Sequence, residues 1–361
     1  MFFLILIVIF SLVALIALHE FGHFIIAKKL GVKVEEFGIG IPPKIFGKKF
    51  GETTYSLNLL PIGAFVKLYG EDEQIKEPRS FTGKTVGQRS LIVLGGVVTF
   101  WILAIVILSI VVGVWGLPTA VSDEANHNLI DPKVQIGEIA SESPAEIAGL
   151  KLGDTILKLR TAEEQLETDK MEEIIKFTEN HKGEEIILKL QRGNDIFETS
   201  LTPRVSPPEG EGPMGVALIR TALKPYPWYE APIQGTLLTG RMTISIPLTL
   251  GNALVKAIRG EQVKEVEIRG PIGIIQLLTE SAEAGAYNFL YIISFIAIFL
   301  AIFNILPIPA LDGGKLVFLG IEKIRGRPVN QKIEQRLTAT FFTLLIALMI
   351  WVTIRDIARF F

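Results

Sequence analysis

The stretch Phe2–Leu18 carries no charged residue and runs straight into His19-Glu20-Phe21-Gly22-His23, after which Phe24–Ala27 is apolar again. As one helix it is long enough to cross a bilayer, which takes about 20 mostly apolar residues. Residues i and i+4 share a helix face, so His19 and His23 can turn their rings toward one metal ion, the pairing used to hold zinc. Glu20 beside them can act as general base toward an attacking water. Ionisable side chains at membrane depth are costly and mark functional sites. One segment therefore predicts both a membrane span and a metal site inside it.

Three further stretches are apolar and long enough to span: Leu91–Trp115, Ala286–Leu306 and Thr338–Ile354. The first run has no basic region ahead of it and no small-x-small site behind it, so it is expected to remain as an uncleaved span. The formal net charge of −2 over 361 residues says little about partners. The absence of cysteine excludes disulfides and thiolate metal ligands.

Orientation follows from Lys and Arg in the loops. Lys28–Arg89 holds 11 Lys/Arg against 7 Asp/Glu, and Ile321–Leu337 holds 5 against 2. Thr119–Arg220 holds 11 against 20. The two basic loops are expected in the cytoplasm, with the acidic segment and both chain ends outside.

After the first span, Thr53–Leu60 alternates as a half-buried strand does, and Ala64–Tyr69 is its expected partner across the turn Pro61-Ile62-Gly63. A β-hairpin on the cytoplasmic side of the membrane is expected, with an ordinary surface hairpin as the alternative. Glu71–Gln88 is charged and reads as a mobile loop. Asp131–Arg220 reads as one small α+β domain: strands at Val134–Ile139, Thr155–Leu159, Glu185–Leu190 and Ile196–Leu201, and helices at Ser143–Gly149 and Lys170–Glu179. Ser143 is the expected helix cap, with Pro144 at the first position and Gly149 as the stop. Leu237–Ile258 is apolar but holds Arg241, Pro247 and Lys256, which predicts an amphipathic or interfacial helix pair rather than a fifth span.

Two histidines leave a catalytic zinc one protein ligand short. His127 and His181 both lie in the acidic segment. The third span ends in Asn304-Ile305-Leu306-Pro307-Ile308-Pro309-Ala310-Leu311-Asp312-Gly313-Gly314, where prolines and glycines break the helix at membrane depth. Such breaks are tolerated where the backbone lines a wet cavity or is buried in protein. Asp312 is the only carboxylate there. The first and third spans run in the same direction, and His19/His23 and Asp312 both lie near the inner ends, so the two clusters are expected at one height. The alternative is a helix-end carboxylate facing solvent.

With these motifs in place, the chain resembles the site-2 protease family of intramembrane zinc metalloproteases, in its bacterial RseP-like branch. The resemblance rests on HEFGH, NILPIPALDGG, FGIGIPP, LPIGAFVKLYGED and Gly270-Pro271-Ile272, and it covers nearly the whole chain. The segment GEIASESPAEIAGLKLGDTIL resembles a bacterial PDZ domain. The resemblance implies zinc held by His19, His23 and Asp312, with Glu20 as catalytic base. It implies that Asn304 holds the substrate backbone, and that the hairpin around Asn58, Leu59, Leu60 and Gly63 pairs with an unwound substrate segment. The family's PDZ domains are circularly permuted, which makes Gly212–Val216 the candidate loop for a peptide terminus. There is room for one PDZ domain, not two.

The expected fold is a polytopic α-helical membrane protein of four spans, with a β-hairpin and one inserted extracytoplasmic PDZ-like α+β domain. Its parts are residues 1–30 (first span), 31–89 (loop and hairpin), 90–116 (second span), 131–220 (PDZ-like domain), 221–285 (linker with amphipathic helices), 286–320 (third span) and 321–361 (loop and fourth span). The expected function is zinc-dependent cleavage, in the bacterial plasma membrane, of transmembrane segments of single-span proteins such as anti-sigma factors or remnant signal peptides. The expected partners are those substrates, peptide termini at the PDZ-like domain and the lipid bilayer, but not nucleic acid. A catalytically inactive scaffold is the alternative; intact Glu20 argues against it. A metal transporter would need a polar path, and the outer half of the first span is uniformly apolar.

Overall fold

A computed structural model describes residues 2–71, 73, 75–125, 129–193, 195–208, 210–260 and 269–358. His127, named above in the acidic segment, lies outside the described residues. The chain divides into two compact units, one of Met1–Ile110 with Pro232–Phe361, the other Val111–Ala231.

Among the described residues, four helices are long and apolar enough to cross a membrane. They are α1 (Phe2–Lys29), α2 (Val86–Val114), α7 (Ala286–Asn304) and α9 (Gln331–Ala358). α1 and α9 contain the corresponding expected spans, while α2 and α7 end one and two residues short of theirs. Leu15 of α1 meets Val97, Phe100, Ala104 and Leu108 of α2 and Ala297, Ile298 and Ala301 of α7 in one buried cluster. Met242 and Ile246 join that cluster. They belong to α5 (Ala231–Ile258), a single continuous helix with Pro247 inside it. The expected helix pair is therefore one helix. Proline removes a backbone donor, but a helix packed against neighbours tolerates the loss. Gly235 of α5 lies so close to α2 that a Cβ there would come within 2.7 Å of the Ser109 nitrogen. Two shorter helices, α6 (Pro271–Glu283) and α8 (Asp312–Arg325), also belong to the first unit. The α6 N-terminus is held by Asp356 of α9, whose carboxylate accepts from the Gly273 N–H at 2.9 Å.

The expected hairpin takes a different form. Strands β1 (Val34–Phe50) and β2 (Thr53–Leu68) are both long, and Glu36–Ile39 is paired on both sides. On one side lies Ala64–Lys67, on the other Thr54–Leu57. Thr53–Leu60 and Ala64–Leu68 thus do not pair with each other; the first half of β1 runs between them. The second half of β1 returns along the far side of β2, with Lys44–Phe50 opposite Thr53–Asn58. Glycine makes this possible: a Cβ on Gly38 would run into the Phe65 ring on one flank and sit 2.9 Å from Ser56 Oγ on the other. Alternation in β2 alone could not reveal an interposed strand rich in glycine and proline.

The charged loop after β2 is tied down rather than loose. Glu71 pairs with Lys315, Arg79 pairs with Glu52, and Tyr69 Oη donates to Glu77 at 3.1 Å.

The second unit is a sheet of seven strands with order β3-β9-β4-β5-β7-β8, with β6 beside β5. Its strands are β3 (Leu117–Ala120), β4 (Ile130–Ile139), β5 (Thr155–Arg160), β6 (Gln165–Leu166), β7 (Ile186–Arg192), β8 (Asp195–Leu201) and β9 (Val216–Lys224). Helices α3 (Pro144–Ile147) and α4 (Met171–Asn180) pack on it. Ile136, Leu159, Ile174, Ile186, Leu188 and Leu190 are the centre of its core. Ser143 caps α3 as expected, accepting from the Glu146 N–H at 3.2 Å. The cap of α4 comes from far away: Asp123 accepts from the N–H groups of Met171 and Glu172 at 3.1 and 2.7 Å. Arg220, buried in β9, reaches the carbonyls of Ser122 and Ala125 and the Asp169 carboxylate. The compact unit extends beyond 131–220 at both ends: β3 and Asp123 belong to it ahead of 131, and β9 runs on to Lys224.

Asp154 directly precedes β5, its side chain without solvent access, and accepts a fork from Arg192 at 2.7 and 2.6 Å and the Lys151 N–H at 2.8 Å. Burial alone would push the carboxyl up, but the Arg192 guanidinium and the Lys151 N–H hold it below the ordinary carboxylate range. A depressed folded pKa contributes stability that is complete above the unfolded value of about 3.9 and is lost as pH falls through the folded one. Asp154→Asn is expected to destabilise this unit by about 1–3 kcal/mol, a figure discounted because Arg192 keeps solvent access. It should also remove part of the acid sensitivity below about pH 4. Amide hydrogen exchange in β5 and β7 across pH checks both.

Candidate metal centre

His19 and His23 lie on one buried face of α1, and α8 brings Asp312 to them. The Nε2 atoms of the two histidines are 3.2 Å apart, and Asp312 Oδ2 is 3.3 Å from the first and 3.5 Å from the second. Ligands about 2.0–2.1 Å from a tetrahedral zinc are separated from one another by about 3.3–3.4 Å. Three donor atoms therefore stand at three corners of a zinc tetrahedron. Asp312 Oδ2 is buried and has no hydrogen-bond donor among the described residues, an arrangement that is costly unless a cation satisfies it. The donor set is the nitrogen–nitrogen–oxygen set of catalytic zinc sites, which keep a fourth position open. The residues fit the ion.

Glu20 stands next to this triangle. One ligand atom each from His19, Glu20 and His23 lie within 4.8 Å of one another. On its other side, the Val66 backbone amide of β2 faces the Glu20 carboxylate.

Several features hold the histidines in place. His23 Nδ1 is 2.9 Å from the Ile92 carbonyl of α2, so the N–H sits on Nδ1 and the Nε2 lone pair faces inward. The His19 ring stacks on Phe100 with centroids 4.5 Å apart and planes within 12°. Gly96 stands opposite both rings; a Cβ there would run into His23 and come within 2.7 Å of His19 Cε1. Gly22, the glycine of the motif, meets Gly95 backbone to backbone, and a Cβ on Gly95 would sit 2.9 Å from the Gly22 carbonyl oxygen. Small residues of this kind let two membrane helices approach closely.

Asp312 owes its place to the chain break after α7. Leu311 is extended, with φ −114° and ψ 169°, and Asp312 opens α8. Side chains on Gly313 and Gly314 would collide with the carbonyls of Ile305, Leu306 and Ile308. The glycine pair thus lets the first turn of α8 nest against the broken segment.

Of the other expected site residues, Asn304 ends α7 and its amide donates to the Leu300 carbonyl at 3.0 Å. Asn58 is buried within the sheet and donates to the Gly40 carbonyl at 3.1 Å. Leu59 and Leu60 are exposed on β2, and Gly63 adopts φ +85°. His181 belongs to the second unit, where its Nδ1 is 2.9 Å from the Phe177 carbonyl. Reading the sequence did not find Ile92, Gly95, Gly96 or Phe100. The adjacent glycines in the middle of an apolar span were the one available signal.

The profile of peptidase family M50 matches residues 7–348. A candidate zinc metalloprotease of Clostridium perfringens is 35% identical over 97% of this chain and 98% of its own length. The zinc metalloprotease RasP of Geobacillus kaustophilus is 29% identical over 96% of each chain. The regulator of sigma-W protease RasP of Bacillus subtilis is 28% identical, again over 96% of each.

Asp312→Ala is expected to remove most of the zinc from purified protein, whereas Glu20→Gln should leave zinc bound and lower peptide-bond cleavage by about 100-fold or more, the range for a lost general base. Metal analysis alongside a cleavage assay checks both. Full zinc occupancy in Asp312→Ala would place the third ligand elsewhere.

Proposed function

The chain belongs to peptidase family M50, and from that premise we propose that it hydrolyses peptide bonds within the membrane-spanning segments of single-span membrane proteins. It is a zinc metalloprotease of the site-2 type, with membrane-spanning helices. The observation that carries the finer reading is the Val66 amide of β2 facing the Glu20 carboxylate: a strand edge borders the base.

Zinc held by His19, His23 and Asp312 would lower the pKa of a water and polarise the scissile carbonyl. Glu20 takes the proton from that water as its oxygen bonds to the carbonyl carbon. As the C–N bond breaks, Glu20 returns the proton to the leaving nitrogen. A helical substrate must first be extended, because its carbonyls are otherwise occupied within the helix. Ala64–Leu68 pairs with β1 on one side only among the described residues. Its free edge can take up an unwound segment and satisfy the exposed groups by strand addition. Asn58, bonded to the Gly40 carbonyl, anchors the sheet, while Gly63 gives the chain its turn into the edge. Leu59, Leu60 and Asn304 contact the flanks of the bound segment in this reading.

The basic balance of the short loops supports a cytoplasmic metal centre and an outer second unit, in a bacterial plasma membrane. The order of elements in that unit supports a permuted PDZ-like domain. Thr221–Lys224 is covered by β3, while Val216–Ile219 has no second strand partner among the described residues. Beside that free edge lies a cavity of about 660 Å³ lined by Met171, Ile175, Met214, Val216 and Leu218. Gly212–Gly215 leads into it, with Gly215 at φ +76°. A short peptide terminus fits there by strand addition. The domain also excludes substrates whose outer part is bulky. Anti-sigma factors and remnant signal peptides are substrates of the right form, since the Bacillus subtilis relative is named for regulation of sigma-W.

Proline cannot donate to a ladder. Ala64→Pro and Val66→Pro are expected to slow cleavage of a helical transmembrane substrate by about tenfold or more, on the order of 1.4 kcal/mol in the barrier. A substrate loosened by Gly or Pro near its scissile bond should suffer less. Equal rates on both substrates would remove strand addition from the mechanism.

Replacing residues 117–224 by a short linker is expected to leave zinc content unchanged and to permit cutting of substrates that retain their outer domains. If such substrates stay intact while shortened ones are still cleaved, the gate lies elsewhere.

A further inference from the structure

Lys315 stands one turn beyond Asp312 on α8, on the same side of the helix. Its ammonium group pairs with the Glu71 carboxylate and sits 5.3 Å from the centroid of the buried Phe81 ring. Glu71 follows the end of β2 directly: its N–H donates to the Leu68 carbonyl at 3.2 Å, and the Phe81 N–H donates to the Tyr69 carbonyl at 2.8 Å. The pair thus joins two elements at the catalytic triangle. One is the helix that carries Asp312; the other is the strand whose Val66 faces Glu20.

Packing alone does not supply that alignment. The buried face of α8 rests on Leu319, in a cluster with Phe81, Ile92, Val93 and Leu68. Apolar contact is non-directional, so it sets the depth of a helix better than its rotation. A metal ligand must be held within about 0.5 Å of its working position. A charged hydrogen bond to a fixed partner supplies the missing direction. A second pair, Arg89 with Glu322 at 3.0 and 2.5 Å, grips α8 farther along, too far from its first turn to set Asp312 by itself.

We propose that the Lys315–Glu71 ion pair positions Asp312 for metal binding and, through the end of β2, sets the strand edge at Val66. Neither residue touches the reacting atoms; both act through the elements they join. The proposal rests on Asp312 being the third zinc ligand.

The test uses full-length purified protein, zinc affinity by competition with a chelator, and the visible spectrum of the protein with cobalt(II) in place of zinc. Lys315→Met and Glu71→Gln should each weaken zinc binding about tenfold, the lower end of what outer-shell changes cost. Each should also shift the cobalt spectrum, which reports ligand geometry. Lys315→Arg should keep most of the affinity. The exchange Lys315→Glu with Glu71→Lys should recover most of the loss, which separates a directional pair from a general loss of packing. If a single variant fails to fold, the exchanged pair decides. Wild-type affinity and an unchanged spectrum in both single variants overturn the proposal, as does an exchanged pair that folds but binds no better than the singles. Asp312→Ala is the control: retention of zinc there removes the ligand assignment itself, whereas loss of zinc there with normal binding in Lys315→Met removes only the positioning role.

Discussion

The close approach of α1 and α2 at Gly22 and Gly95 is the contact on which the catalytic half of the chain depends. Between membrane helices there is little hydrophobic force, because lipid is as apolar as leucine; association rests on fit and on hydrogen bonds. Here the fit brings three things at once. The Ile92 carbonyl comes within reach of His23, the space beside Gly96 admits both imidazoles, and Phe100 backs the ring of His19. A larger residue at either glycine would separate the helices and loosen all three together.

Three different devices then complete the site. The intact helix α1 carries His19, Glu20 and His23 at fixed spacing. Asp312 follows a chain that has stopped being helical, and irregular backbone at membrane depth must satisfy its own polar groups. It does so locally: the Leu311 N–H donates to the Ile308 carbonyl at 2.9 Å, and Thr338 of α9 donates to the Pro309 carbonyl at 3.1 Å. The glycines after Asp312 let α8 begin without a gap. The edge of β2 is a third device, which brings the Val66 backbone amide beside Glu20.

How much of this could be read from the residues depends on how each part is encoded. The His-Glu-His cluster and Asp312 stood out because charge in an apolar run is rare and expensive. The four long apolar helices were legible for the same reason, as were the Ser143 cap and the stop at Gly149. The sheet was not, because β1 owes its place between two segments of β2 to glycine, and glycine carries no pattern. The carbonyl of Ile92 is backbone and could belong to any residue. The Asp123 cap and the Lys315–Glu71 pair join positions far apart in the chain, which local spacing cannot show. The helix α5 was misjudged because Arg241 and Pro247 argue against a buried helix when read alone, whereas its packing face is Met242 and Ile246.

The remote cap on α4 also says where the second unit can be divided from the rest. Asp123 lies ahead of β4, in the stretch that follows β3, yet it closes the N-terminus of a helix some fifty residues later (|i−j| 48 and 49). The carbonyls of Ser122 and Ala125 in the same stretch complete the surroundings of the buried Arg220. A fragment begun at Asp131 would keep most of the sheet but strand a guanidinium in the interior, uncap α4 and bare the β9 edge along Thr221–Lys224. The self-sufficient piece of polypeptide begins at or before Leu117, so the apparent linker leading out of α2 is a folded part of the domain it introduces.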